Sequence, residues 1–472
     1  MTVKEFFGPC DMTTGKPWEK ILIFTAPMII GNIAQQLYST VDSVIVGRYV
    51  GDNAIAAVGA SGPILNLLLV LFMGISVGAG VMVSQYFGAR DREELSKTIG
   101  NCISLNIIAS LIIMILGSVL ARPLLVLLDT PESILDWSTS YLIILCLGIA
   151  GSSFYNILCG VLRGLGDSIS ALVYLLVATV LNIILDLVFV AGLDMGVSGV
   201  AWATIIAQAI SAILCVFKLR KMTDIFDFKV HYMKISSVHT KHIIRLGIPS
   251  GLTQAIFSMA MIVVQSLTNS FGETLIAASV IIMRVDGFAM MPNFSFGNAM
   301  TTYAGQNVGA RKFDRLSQGC KQGTLLAVGC ATAITGVILL FGKFLMGIFT
   351  ETTSLVDLSY NMMCIIAVGY IAVAVTQSLS GVMRGAGDTT TPMWISLITT
   401  IAIRIPLAYG IAYLTRTPEN PNGSYYCLYI SLLVSWVMGA LITTFFYLRG
   451  NWKKKALIVG GKDVILADAI ED

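Results

Sequence analysis

The sequence predicts an all-α membrane protein of twelve transmembrane helices, arranged as two parallel six-helix repeats. Three observations predict it. The 472 residues are 56% hydrophobic and only 12% charged, whereas a soluble domain carries about 25% charged residues. The apolar residues fall into blocks long enough to cross a bilayer. Several motifs recur at one constant offset along the chain.

The blocks lie at 18–46, 54–82, 99–121, 135–158, 169–191, 197–217, 244–270, 275–300, 318–342, 355–378, 393–414 and 426–448. At about 1.5 Å per residue, each spans the roughly 30 Å of hydrocarbon. Helices satisfy their own backbone groups in lipid, so an all-α bundle follows. The first twenty residues are polar, and the first apolar run already has full helix length, so no cleavable leader is expected.

The repeat is read from three pairs of motifs. "GVLRGLGDS" from Gly160 to Ser168 returns as "GVMRGAGDT" from Gly381 to Thr389, an offset of 221 residues. "QYFGARDREELS" at Gln85 and "QNVGARKFDRLS" at Gln306 share that offset, as do Gly51 with "IAA" at 55–57 and Gly272 with "IAA" at 276–278. Six spans is an even number, so the copies enter the membrane the same way up. The chain divides at 1–230, 231–450 and a tail at 451–472.

Orientation follows from Lys and Arg. With both termini in the cytoplasm, 24 of the 30 basic residues fall on inner segments, as the positive-inside rule requires. A multi-pass protein of the cell membrane is expected. The net charge of +3 therefore reports topology, and nucleic-acid binding is not expected. Lys453, Lys454 and Lys455 read as a membrane-edge anchor. His231, His239 and His242 read as part of a solvated inner loop, and the nine cysteines as buried thiols.

The glycine loop at 160–168 resembles a phosphate cradle but lacks a preceding strand, and no GxxxxGK[ST] occurs in the chain. No nucleotide is expected. Glycine permits the positive φ of a tight turn, and Arg163 and Asp167 are placed to cap the flanking helix ends.

Acids inside membrane helices are costly and point to function. The first span carries Asn32, Gln35, Ser39 and Asp42 at steps of three, four and three, one polar stripe on one face. The fifth carries Thr179, Asn182 and Asp186, and the sixth carries Thr204. Asp42, Asn182, Asp186 and Thr204 make an all-oxygen site for a hard cation, or a carboxylate pair that carries a proton. Gln35 and Ser39 extend the stripe along a substrate path. At the repeat offset, Asp42 maps to Val263, Asn182 to Ile403 and Asp186 to Leu407. The scaffold is duplicated and the acids are not, which marks them as chemistry rather than packing. The second half has its own charges: Arg284 and Asp286 on the eighth span and Arg404 on the eleventh. Asp286 and Arg404 form either an interhelical pair or, with Arg284, part of the substrate path.

The two G-x-x-R-G-x-G-D-[ST] loops, with "PWEKILIFTAPMIIGNIAQQLYSTVDSVIVGRYVG" near the start, resemble the multidrug and toxic compound extrusion (MATE) family over residues 15–450. The resemblance implies a V-shaped pair of six-helix lobes. It also implies export of amphipathic, often cationic, small molecules against an inward flow of H⁺ or Na⁺, with no other cofactor. Asp42, Asn182, Asp186 and Thr204 match that family's cation and proton site, and Asn156 of the fourth span matches the same network. Acids that some branches carry in the seventh or tenth span are missing, Asp357 lying near an outer end, which resembles the DinF-like pattern. A flippase for lipid-linked substrates is the alternative within the same superfamily. A membrane-embedded enzyme would need a nucleophile, base or metal constellation that the sequence does not offer.

Overall fold

The computed structural model describes residues 8–418 and 420–455. The side chains at 39, 43, 52, 55, 71, 454 and 455 lie outside that description, as does the tail from 456 onward. Every long element of the described chain is a helix. In order it runs α1 (Pro17–Tyr49), α2 (Asp52–Ala89), α3 (Arg92–Leu127), α4 (Glu132–Leu147), α5 (Ile149–Gly164), α6 (Ser168–Asp186) and α7 (Gly196–Arg220). It continues with α8 (Ser237–Asn269), α9 (Glu273–Gly309), α10 (Phe313–Gly347), α11 (Thr353–Ala367), α12 (Gly369–Gly385), α13 (Thr390–Leu397), α14 (Ile405–Leu414) and α15 (Tyr426–Arg449). A π-helical turn, Leu187–Gly192, extends α6, and another, Ile398–Arg404, joins α13 to α14.

Among the described residues ten helices are long and apolar enough to cross a membrane, and twelve if each of two bent pairs is one span. The fourth and tenth spans are these bent pairs. α4 and α5 meet at 51°, and α11 and α12 at 43°. The cause is packing at two glycines. A Cβ on Gly148 would stand 2.3 Å from Ile205 Cγ2, and one on Gly369 would stand 2.5 Å from Trp436 Cε3. A neighbouring helix fills the space on each glycine, and the chain bends around it. Gly148 and Gly369 are themselves equivalent in the repeat.

The chain forms two compact units. One holds Ala26–Gly251 with the residues up to Asp11, and the other holds Leu252 onward with Met12–Thr25. The division falls inside α1 and inside α8. In the first unit, the early turns of α8 lie against α2 with backbones in contact. A Cβ on Gly74 would stand 2.6 Å from the Gly247 carbonyl, and one on Gly247 would stand 2.8 Å from the Gly74 carbonyl. Only paired glycines permit that approach. In the second unit, Arg315 donates to the carbonyls of Met12 (3.1 Å) and Thr14 (2.8 Å), and Lys312 donates to Thr13 (2.9 Å).

The repeated glycine loops are turns and helix caps. Gly166 has φ +87° and Gly387 φ +101°, a region that favours glycine. Asp167 accepts from the Ser170 N–H (2.9 Å) and hydroxyl (2.7 Å), and Asp388 from the Thr391 N–H (3.1 Å) and hydroxyl (2.6 Å). Each acid satisfies an orphan donor at the first turn of a helix. Lys218 of α7 also reaches Asp167 at 3.3 Å.

Two sequence expectations change here. His239 and His242 belong to α8, and His239 is buried rather than solvated. Its ring bonds Glu94 and Ser236, each at 3.0 Å. Of the nine cysteines, Cys10, Cys330 and Cys364 are only partly buried.

Candidate functional site

Three helices of the first unit converge on one polar cluster. α1 carries Tyr38 and Asp42, one turn apart. α6 carries Asn182 and Asp186, also one turn apart. α7 carries Thr204. The four-residue spacing puts each pair on one helix face. Asp186 is the last residue of α6 before the π turn, and π turns widen a helix where a side chain must be re-aimed. Around the cluster stand Ile45, Val46, Tyr141, Val190, Val200 and Ile205. Asp42 and Thr204 remain partly exposed, and the apolar neighbours strengthen the electrostatic interactions beside them.

The carboxyl groups of Asp42 and Asp186 lie close enough to act directly on each other. Asp186 is fully buried and Asn182 nearly so. With its amide oriented to satisfy both ends, Asn182 Nδ2 donates to Asp186 Oδ2 at 2.8 Å and its oxygen accepts from the Thr204 N–H at 3.2 Å. The opposite orientation leaves only a 3.4 Å contact to Thr204 Oγ1 and faces the amide oxygen toward the carboxylate, so the first is adopted. Thr204 Oγ1 donates to the Val200 carbonyl at 3.0 Å and bonds the Tyr38 hydroxyl. Oδ1 of Asp42 and Oδ1 of Asp186 are buried without a hydrogen-bond partner among the described residues.

The chemistry follows from that geometry. Two ionised carboxylates in contact repel, so the pair needs a cation between them, either a proton or a metal ion. The donors present are carboxylate, amide and hydroxyl oxygens, a set that suits a hard cation. The two unpartnered Oδ1 atoms are the acceptors it would use.

The Asn156 amide donates to the Ser152 carbonyl one turn earlier (2.8 Å), and no hydrogen bond is described between it and the cluster. Gln35 is exposed, and the Ser39 side chain lies outside the described residues. Tyr38 and Tyr141 were missed. Tyr38 was legible, since it lies four residues before Asp42 on the same stripe.

The charges of the second unit arrange differently from the expectation. Arg284, read as buried, is exposed. Asp286 and Arg404 attract each other without a close contact. Among the described residues no ion pair joins them. Asp286 Oδ1 instead accepts from the Tyr370 hydroxyl at 2.7 Å. A buried neutral donor on α12 takes the place expected for the guanidinium. Asp286 and Arg404 both line a cavity of about 330 Å³ within this unit. Tyr370, fully buried, packs its ring at 5.7 Å and a 36° tilt against Trp436, which also lines that cavity.

Two successive stretches, residues 27–188 and 249–410, match the family model MatE. Together they cover more than half of the chain. The chain belongs to the MatE family. One match falls on each six-helix half, so the family model itself reports the repeat. Among its relatives, the MatE chain is 26% identical to the probable multidrug resistance protein YoeA of Bacillus subtilis over 93% of this chain and 95% of the relative. It is 24% identical to the probable multidrug resistance protein NorM of Thermotoga maritima over 93% and 94%. Among solved structures, a MATE in complex with MaL6 matches with a TM-score of 0.87 at 23% identity, covering 93% of this chain and 98% of that one. A MATE solved in a bent conformation matches with a TM-score of 0.85 at 23% identity, covering 92% and 95%. The structural likeness carries the fold. The family membership carries the class: MatE proteins are multidrug efflux transporters.

Proposed function

We propose that this MatE protein is a secondary antiporter that exports small amphipathic molecules, many of them cationic, in exchange for H⁺ or Na⁺. It would work in the cell membrane with both termini in the cytoplasm. The observation that carries the reading is the contact between Asp42 and Asp186. A carboxyl pair in an apolar shell has no packing role that Leu or Asn would not fill at lower cost. In the repeat-equivalent positions the chain has Val263 and Leu407, and the second half folds without acids there.

Coupling needs two conformations with different affinities for the ion. A cation between Asp42 and Asp186 ties α1 to α6, and its loss leaves like charges that push the helices apart. The hydrogen bonds from Asn182 and Tyr38 hold α6, α7 and α1 in the register that brings the carboxyls together. Pro27 lies inside α1 and removes one backbone hydrogen bond there. That makes α1 the element through which a change at Asp42 would be transmitted.

The test is reconstitution into liposomes with H⁺ and Na⁺ gradients imposed separately. Uptake of a fluorescent amphipathic drug should follow one of the two gradients. Asp42→Asn and Asp186→Asn should each abolish that dependence. Gradient-driven uptake by the double Asn variant would end the proposal.

A further inference from the structure

The segment that links α7 to α8 is pinned along α3 of the first unit. At the first turn of α3, Arg92 donates to the carbonyls of Thr223 (2.6 Å) and Asp224 (3.2 Å) and pairs with Asp227 at 2.8 Å. One turn on, the Ser96 hydroxyl accepts from the Asp227 N–H at 2.8 Å. Over the next two turns, a Cβ on Gly100 would collide with the Tyr232 carbonyl, Ser104 donates to the Met233 carbonyl, and Asn101 accepts from the Ser236 N–H at 3.0 Å. α3 is long and apolar enough to cross a membrane, and its apolar block starts at residue 99. Residues 232–236 are therefore level with the first turns of that block, not in the water beyond it.

The side chains that this path turns outward are aliphatic and basic by turns. Val230 is 81% exposed, Ile235 54% and Val238 62%. Lys229 precedes Val230, Lys234 precedes Ile235, and Lys241 stands one turn after Val238 on α8, all three exposed. Asp227 is already held by Arg92 and does not cancel them. The repeat shows that packing does not require this decoration. At the offset of 221, Lys229, Val230, Lys234, Ile235 and Val238 correspond to Gly8, Pro9, Thr13, Thr14 and Pro17. Met12–Thr14 also lie along the third helix of their own half, held there by Lys312 and Arg315. That segment folds onto its helix with only glycine, proline and threonine at those five positions.

We propose that the linker is an interfacial anchor. Val230, Ile235 and Val238 enter the acyl boundary of the adjoining leaflet, and Lys229, Lys234 and Lys241 hold the phosphates of anionic phospholipids. Branched aliphatic side chains flanked by lysines whose stems reach outward are the pattern that lies in a bilayer interface. A soluble partner would have to reach a surface level with the start of the hydrocarbon, where lipid already stands. The anchor goes beyond the antiporter reading and needs neither ion nor substrate. It needs only that α3 crosses the membrane.

The test is reconstitution of the full chain carrying Ile235→Trp into phosphatidylglycerol vesicles. The emission added over the unsubstituted protein should be quenched by lipid brominated on its upper acyl carbons and spared by aqueous iodide. Native mass spectrometry of the full chain in detergent tests the charges. Phosphatidylglycerol should bind more tightly than phosphatidylcholine of the same chains. Each of Lys229→Gln, Lys234→Gln and Lys241→Gln should weaken phosphatidylglycerol about fivefold and leave phosphatidylcholine unchanged, and inorganic phosphate should not compete. Iodide quenching without bromolipid quenching, equal affinities for the two lipids, or unchanged phosphatidylglycerol binding in the triple Gln variant would overturn the proposal. Displacement by inorganic phosphate would do the same, by making this a site for free anions. The four replaced side chains are all exposed, so the variants keep the packing of the linker on α3. Neither measurement uses a gradient or a drug. A chain that anchors but does not transport would sink the exporter reading and leave the anchor standing.

Discussion

Asp42 of α1 and Asp186 of α6 bring their carboxyl groups close enough to act directly on each other. Among the described residues no ion pair joins either acid to a basic side chain. Asp186 is steadied by Asn182 at 2.8 Å, a neutral donor that orients the carboxylate without cancelling its charge.

The first prediction separates the pair from its support. Asn182→Ala removes the buried donor to Asp186 and should lower stability by about 1–3 kcal/mol. Asp186→Asn should cost less, because the like-charge contact disappears with it. Thermal unfolding of the purified single and double variants checks this. The double variant should be no less stable than Asn182→Ala alone. An additive loss would show that the amide and the carboxylate act independently.

A second prediction concerns Tyr370. Tyr370→Phe leaves Asp286 Oδ1 without its 2.7 Å donor and should cost about 1.5–3 kcal/mol, the range for a hydrogen bond to a charged group. Adding Asp286→Asn should recover most of that loss. Unfolding midpoints of the two variants measure it, and absence of recovery would mean that Tyr370 matters through its packing on Trp436.

The bends make a third prediction. Gly148→Ala and Gly369→Ala each place a methyl inside a neighbouring side chain, Ile205 or Trp436, and overpacking of this kind costs about 1–3 kcal/mol. Gly287→Ala, on open space, should be neutral or slightly stabilising, since alanine is the better helix former. Detergent stability of the three variants in parallel is the check. Equal effects would mean that the bends do not depend on those contacts.

Topology supplies the fourth. Reporter tags after Lys221 and after Lys455 should both be cytoplasmic, and one near Asn420 external, because 24 of 30 basic residues lie on the side so assigned. Finding the first two tags on opposite faces would remove the twelve-span count.

Much of this was legible before any coordinates. Asp42, Asn182 and Asp186 were selected by helical spacing and by their absence from the second repeat, and the structure brings them together. Tyr38 obeyed the same spacing and was passed over because tyrosine is ordinary in membrane helices. Charge and shared depth offer Asp286 and Arg404 either as an interhelical pair or as part of a substrate path. Charge says that each needs a partner, but Tyr370 and a cavity were not visible in a periodicity.

What the sequence by itself determined is the set of properties that depend on residue type and order along one helix. These are the span count, the duplication at offset 221, the polar stripes and the cap role of the two GD loops. Each is local, and lipid removes the competing solutions by requiring every backbone group to be satisfied within its own helix. What only the tertiary structure decided is everything that needs two helices at once. Gly148 and Gly369 bend the chain because Ile205 and Trp436 stand opposite them. The chain divides inside α1 and α8 rather than between helices, and paired glycines at 74 and 247 let α2 and α8 touch. Asp286 turns to Tyr370 and leaves Arg404 facing a cavity. Such choices rest on which side chains fill a shared volume, and packing density, unlike hydrophobic period, has no signature along a single strand of sequence.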